Sequence, residues 1–327
     1  MKKILILTII LTAVAMNAQT FKKSEPLAHT YSIVAYDPAT GEMGVAVQSH
    51  WFLVGPIVCW GEAGVGVVAT QSLVNISFGE RGLELLKKGH TPQEAVDRLI
   101  ASDEGRSHRQ LAILDAKGEV AAYTGDDCIE YAGHIVGNNY SVQANLMASP
   151  TVWPAMKKTF EGTEGDLAEK MMAALEAAEA EGGDIRGKQS AALYVYSSNK
   201  DAKPWEQKIV DIRVDDSTEP LKELRRLLKV HRAYEHMNKG DIAIETGDTE
   251  RALKEYAAAE TMFPDNLEMK YWHAVSLINN KMYDDGVALL KAIFAKGENW
   301  REVTPHVYEA GLLEITEEQL KQIMELK

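Results

Sequence analysis

The sequence predicts an α+β body, two sheets packed face to face with helix pairs covering them, followed by a small all-helical region. Three observations predict it. Strand-like runs come in groups separated by pairs of helix-like runs, an order that a simple βαβ alternation does not produce. The β-branched runs and most of the glycines stop near Pro220. Beyond that point small residues recur at the spacing of a helical repeat. A chain of 327 residues is also long for one core, since domains run to about 150 residues, so two units are expected.

The elements follow in order. At the N-terminus Lys2 and Lys3 precede an apolar run over 4–7 that resumes at Ile9 and gives way to small residues. This reads as a secretory signal, cut after Ala15 or after Ala18, and the apolar stretch falls short of the roughly 20 residues of a spanning helix. The run TYSIVAYD over 30–37 alternates and is rich in β-branched and aromatic residues; a turn at 38–41 returns it as a hairpin over 43–48. Apolar runs over 57–60 and 65–69 flank Gly61, Gly64 and Gly66 and read as two buried strands. An amphipathic helix is expected over 80–88. Thr91-Pro-Gln-Glu94 is a capping box with proline at the first helical position, opening a helix to about residue 101. Strands are expected over 110–115, 120–124 and 140–146, helices over 154–160 and 167–180, and strands over 191–196 and 208–214.

A helix beginning near Pro220 marks the boundary. Gly240, Ala243, Ala252, Tyr256, Ala259 and Pro264 match the tetratricopeptide pattern, with a weaker copy at Ala274, Leu277, Gly286 and Leu290. The division expected is therefore signal peptide 1–18, extension 19–29, body 30–218 and a tetratricopeptide-like helical domain 219–327. Two copies are fewer than a free-standing solenoid needs, so a helical hairpin that only packs on the body is the competing reading.

Composition narrows the function. A net charge of −13, with no basic stripe carrying interleaved aromatics, argues against nucleic acid as a partner. No later segment is apolar enough to span a bilayer, so the expectation is a periplasmic or secreted protein, off the membrane once the signal is removed. Cys59 and Cys128 read as two separate buried thiols, because their sequence separation gives no geometric case for a bridge. His29, His50, His90, His108 and His134 show no two-ligand metal spacing, and neither cysteine has a CxxC partner. No metal and no cofactor are expected. The glycines at 61, 64 and 66 are not a phosphate loop, and no serine lies in a nucleophile elbow.

The ordered motifs TYSIVAYDPATGEMGVAVQSHWFLVG, WGEAGVGVVATQ, RQLAILDAKGEVAAYTGDDC, GGDIRGKQSAALYVY and VDIRVDD resemble the domain of unknown function 1028 family, over residues 30 to 231. The resemblance implies a four-layer αββα sandwich of the N-terminal-nucleophile (Ntn) hydrolase type, similar in architecture to γ-glutamyltranspeptidases. In that fold a Thr, Ser or Cys opening a central strand attacks an amide while its own α-amine takes the proton. The amine suits the task because its ordinary pKa is about 7.7 to 8.0. Thr30 is the residue that matches. Here the sequence departs from the pattern: signal cleavage leaves residues 19–29 in front of Thr30, and its nitrogen stays in a peptide bond. Either the His29–Thr30 bond is cut or Thr30 is a strand residue.

Oxyanions need fixed N–H donors. Ser49, Thr70, Gln71 and Asn75 lie at or just past expected strand ends, and Thr124, Gly125 and Asn145 hold similar places in the second group; Asn145 is taken with Thr30 as catalytic. Each alone also fits a turn or cap. Arg109, Arg186 and Gln189 bring cationic and amide groups just before strands, placed to hold a substrate carboxylate, or equally to pair with one of the many carboxylates. His50 and His108 read as loop residues able to act as a base if Thr30 does not. The expectation is an exported amidohydrolase acting on a small or peptide-derived amide. The alternative is a non-catalytic binding or scaffold protein whose αββα body and helical tail meet a protein partner, with Tyr271, Trp272 and His273 read either as an exposed aromatic contact or, for Trp272 at least, as interhelical core. Either leaves room for a homodimer.

Overall fold

A computed structural model describes residues 27–326. The expected signal peptide and residues 19–26 of the extension lie outside the described residues. The chain divides into two compact units, one ending at Leu224 and the other beginning at Arg225.

The first unit opens with β1 (Leu27–Ala28), β2 (Thr30–Tyr36) and β3 (Met43–Ser49). A short helix α1 (Gly55–Val58) then precedes β4 (Cys59–Glu62) and β5 (Gly66–Leu73). Part of the strand expected over 57–60 is therefore helical, with Pro56 in its first turn, where a missing N–H costs nothing. Next come α2 (Ser77–Lys87) and α3 (Pro92–Ala101), the latter opened by the expected capping box between Thr91 and Glu94. They lead to β6 (Arg109–Asp115), β7 (Val120–Thr124), β8 (Gly133–Gly137) and β9 (Tyr140–Ala144). Helices α4 (Val152–Gly162) and α5 (Leu167–Ala180) and strands β10 (Ser190–Tyr196) and β11 (Lys208–Val214) complete it. The sequence did not disclose β1 or β8. A two-residue strand has no period to detect, and Gly-His-Ile-Val-Gly is bounded by strand-weakening glycines.

All strand pairing is antiparallel. A five-stranded sheet runs β1-β5-β6-β7 with β4 also paired to β5, and a six-stranded sheet runs β11-β10-β3-β2-β9-β8. The sheets meet face to face: Val34, Val45, Val47 and Ala192 of one pack with Val67, Ala69, Ala112 and Leu114 of the other. On the outer face of the five-stranded sheet, Val68, Leu111 and Ile113 bury Phe78 and Leu83 of α2 and Ala95 and Leu99 of α3. On the outer face of the six-stranded sheet α5 lies so close that a Cβ on Gly44 would stand 2.2 Å from Met171 Cε. Glycine at that strand position is what lets the helix dock.

The second unit takes in most of α6 (Pro220–Glu245), then α7 (Thr249–Met262), α8 (Leu267–Asn279), α9 (Tyr283–Phe294), α10 (Glu298–Glu309) and α11 (Glu317–Met324). Ala233, Ala243, Ala252, Tyr256 and Ala259 form one cluster, in which Gly240 admits the Tyr256 ring. Tyr271, Ile278, Leu290, Ile293 and Val307 form another. The expected exposed aromatic contact is corrected here. Tyr271 is fully buried and donates to Thr304 Oγ1, Trp272 is half-buried, and the half-buried His273 pairs with Glu260.

Candidate functional site

Strand period decides where each side chain of β2 goes. Tyr31 faces α5, donating its hydroxyl to Glu179 Oε2 at 2.8 Å, so Thr30 and Ser32 face the other sheet. At this end of the body the inward positions of several strands are polar. Ser32 Oγ donates to Gln71 Oε1 at 2.6 Å and accepts from Gln143 Nε2 at 2.7 Å. Gln71 Nε2 donates to Gln110 Oε1 at 2.7 Å and to Thr30 O at 3.2 Å. Asn145 Nδ2 also donates to Gln110 Oε1, at 2.9 Å. Gln110 Nε2 in turn donates to Thr124 Oγ1 at 2.8 Å and Ala144 O at 2.9 Å. Ser32, Gln71, Gln110, Gln143 and Asn145 are all fully buried. These amides stitch the two sheets together. A buried network of this kind is stable only when every member is satisfied.

The chain crosses between the sheets at His29–Thr30. β1 pairs Leu27 with Leu73 and Ala28 with Ser72 on the five-stranded sheet, whereas Thr30 pairs with Ser49 on the six-stranded one. Both His29 and Thr30 are buried. The carbonyl oxygen of His29 accepts from Ser49 Oγ at 2.5 Å and from Arg186 Nη2 at 2.8 Å. Its imidazole Nδ1 lies 2.9 Å from Asn145 Oδ1. Burial pulls the imidazole below its ordinary pKa, with Arg186 adding to the effect and the Asn145 bond opposing it. Thr30 Oγ1 donates to Ala28 O at 2.9 Å.

Arg186 is held in place by Asp184, which is 3% exposed: Nε reaches Oδ1 at 3.0 Å and Nη2 reaches Oδ2 at 2.6 Å. Asp184 also accepts the backbone N–H of His50 at 3.1 Å. The loop bearing the pair takes φ of +103° at Gly182, +54° at Gly183 and +107° at Gly187, a region open to glycine and strained for other residues. A planar fork fixed by a carboxylate and aimed at a carbonyl oxygen, with a hydroxyl beside it, is an arrangement for negative charge developing on that oxygen.

Of the residues singled out in the sequence, Thr30, Ser49, Gln71, Asn145 and Arg186 come together here. Thr124 joins through Gln110 and stands 2.8 Å from His134 Nδ1. With Gly125, Asp126, Cys128, Glu130 and His134 it also lines a pocket of about 550 Å³. Four others lie elsewhere. Thr70 donates to Asn75 O at 3.2 Å, and Asn75 Oδ1 accepts the N–H of Ser77 at the start of α2. Arg109 is 6% exposed, bound through Nε to Asp103 at 2.8 Å and through Nη1 to the Leu73 carbonyl, so it ties a loop and is not offered to a substrate. Burial opposes ionisation of Asp103, yet Arg109, Asn75 and the Gly105 N–H together hold its carboxyl below the usual range. Gln189 donates to Asp216 at 3.0 Å.

Sequence reasoning passed over Ser32, Gln110 and Gln143, and weighed His29 only as a metal ligand. A usable signal was present: each of the three is a polar residue at an inward position of a largely buried strand. Both cysteines are free thiols, but only Cys59 is buried as expected and Cys128 is half-buried; burial pushes both up in pKa. Among the described residues no group of His, Cys, Asp and Glu is placed to hold a metal ion, and no helix is long and apolar enough to cross a membrane.

Comparison with known proteins adds two findings. A family model described as a family of unknown function, DUF1028, matches residues 30–224 and so begins at Thr30. The chain is also similar to the crystal structure of protein SPO2555 from Silicibacter pomeroyi, assigned to the same family model, at 31% identity. That match covers 62% of this chain and 85% of the other, with a TM-score of 0.56. No curated protein matches the chain.

Proposed function

We propose, from the premise that this chain belongs to the DUF1028 family, that its body is an amide hydrolase of the N-terminal-nucleophile type, exported and held as a precursor until the His29–Thr30 bond is cut. On this reading the two sheets and their covering helices are an αββα sandwich similar in architecture to γ-glutamyltranspeptidases, and the second unit is a tetratricopeptide-like tail. The observation that carries the reading is the cradle around one peptide bond: Ser49 and Arg186 both donate to the His29 carbonyl, directly before the threonine that opens β2.

Cutting that bond gives Thr30 a free α-amine with a pKa of about 7.7 to 8.0, close to working pH. The amine takes the proton from Oγ1 as the oxygen attacks a substrate carbonyl carbon. Arg186 and Ser49 then face the oxyanion of the tetrahedral intermediate. The protonated amine returns its proton to the leaving nitrogen as the C–N bond breaks, and water releases the acyl group from Oγ1. The substrate is a small or peptide-derived amide met in the periplasm or outside the cell.

Two measurements test this. The intact mass of protein purified from its native compartment should correspond to a chain beginning at Thr30. Hydrolysis across a panel of amides should be lost in Thr30→Ala. A mature protein that begins at Gln19, or hydrolysis unchanged by the substitution, refutes the reading. One observation favours a second reading, a binding scaffold: with His29 in place the Thr30 nitrogen is an amide, and among the described residues its hydroxyl bonds to the Ala28 carbonyl and to no base.

A further inference from the structure

We infer that Leu27–His29 occupy the place of the substrate's acyl portion, so that the site takes an extended peptide ending in a neutral hydrogen-bond donor such as histidine. The inference rests on the proposed hydrolase reading and names its substrate class. Three contacts define the place. First, β4 covers the edge of β5 only from Gly66 to Ala69, and β1 covers Ser72 and Leu73. Once β1 leaves, that part of the edge is open, and an extended peptide regains its backbone pairing as an added strand. A γ-glutamyl or other single-residue amide has no backbone to place there.

Second, the carbonyl of the residue at the His29 position lies under Ser49 and Arg186, where the attacked carbonyl must be. Third, the side chain at that position meets Asn145. The Nδ2 group of Asn145 is turned toward Gln110 Oε1 and Thr30 O, which leaves Oδ1 as the atom presented to the incoming side chain. Oδ1 accepts and does not donate. A neutral imidazole satisfies it, whereas a carboxylate would bring a second acceptor into a buried site and an aliphatic chain would leave Oδ1 unpaired. Burial holds the imidazole of His29 below its ordinary pKa, which favours the neutral form.

The experiment uses the purified full mature protein and the anilides of acetyl-Leu-Ala-His, acetyl-Leu-Ala-Asp, acetyl-Leu-Ala-Leu, acetyl-His and γ-glutamate, with calorimetric binding of free acetyl-Leu-Ala-His alongside. The histidyl tripeptide should exceed every other substrate in kcat/KM, by about tenfold or more over the aspartyl one, as expected for an unpaired buried group. Asn145→Leu should collapse the His-to-Leu ratio, which is independent of how much of the variant folds. Hydrolysis with no preference for the tripeptide, or with γ-glutamyl preferred, overturns the inference and leaves the hydrolase reading standing. Binding of acetyl-Leu-Ala-His without hydrolysis of any anilide does the reverse. Neither binding nor hydrolysis, or a mature protein that retains His29, overturns both.

Discussion

Arg186 shows how one side chain joins distant parts of the chain. Its guanidinium is fixed by the buried Asp184 and reaches the carbonyl of His29, 157 residues earlier. If that contact polarises the bond to be cut, Arg186→Met should leave a chain that still carries His29, readable by intact mass, while Ser49→Ala slows the cut to a lesser degree. His29 itself makes folding depend on pH. Its ordinary pKa is 6.5, and burial in the fold holds it lower, so the unfolded chain takes up the proton first as pH falls. Stability is therefore lost as pH drops from about 6.5 toward the lower folded pKa, with no further loss below it. The half-buried His134 is shifted the same way by burial. In the uncut chain, replacing His29 by glutamine, which does not titrate, should flatten the fall in stability below about pH 6.5 in urea unfolding, leaving the part due to His134.

At the scale of elements, the polar ends of β2, β5, β6 and β9 are the unusual feature. An apolar cluster packs between the sheets, but here Ser32, Gln71, Gln110, Gln143 and Asn145, with Ser141 bonded to Gln143, meet as one hydrogen-bonded set. Gln110 is its hub, accepting from two amides and donating to Thr124 and the Ala144 carbonyl. Gln110→Leu should cost about 1–3 kcal/mol for the groups it leaves unpaired, measured by chemical denaturation. Asp103→Asn should cost more, about 3–5 kcal/mol, because Arg109 stays charged and buried. The capping box of α3 and the glycine under α5 show the opposite economy, in which a single local residue type settles an element's end or its docking distance.

Over the whole molecule, two units carry separate cores of different character. The first is built on two sheets and holds the His29–Thr30 cradle; the second is a set of helices packed through alanines, Gly240 and large aromatics. Tyr271 is central to the second, with its ring 5.1 Å from that of Trp300 and 5.6 Å from that of Trp272. Tyr271→Ala should cost about 3–5 kcal/mol in that unit, seen as a lowered denaturation midpoint, which a surface aromatic would not produce.

The sequence by itself determined most of the elements and their grouping. The hairpin of β2 and β3, the helices α3 and α5, the strand β11 and the turn to helices near Pro220 are each written in a few neighbouring residues, as alternation, capping or period. It also carried the motifs of DUF1028 and, through them, attention to Thr30. Only the tertiary structure decided which polar residues meet. Arg109 and Arg186 look alike in sequence, each standing just before an expected strand, yet Arg109 opens β6 bound to Asp103 and Arg186 faces the His29 carbonyl. Such contacts depend on how separate sheets stack, and no local period records the distance between residues brought together across a core.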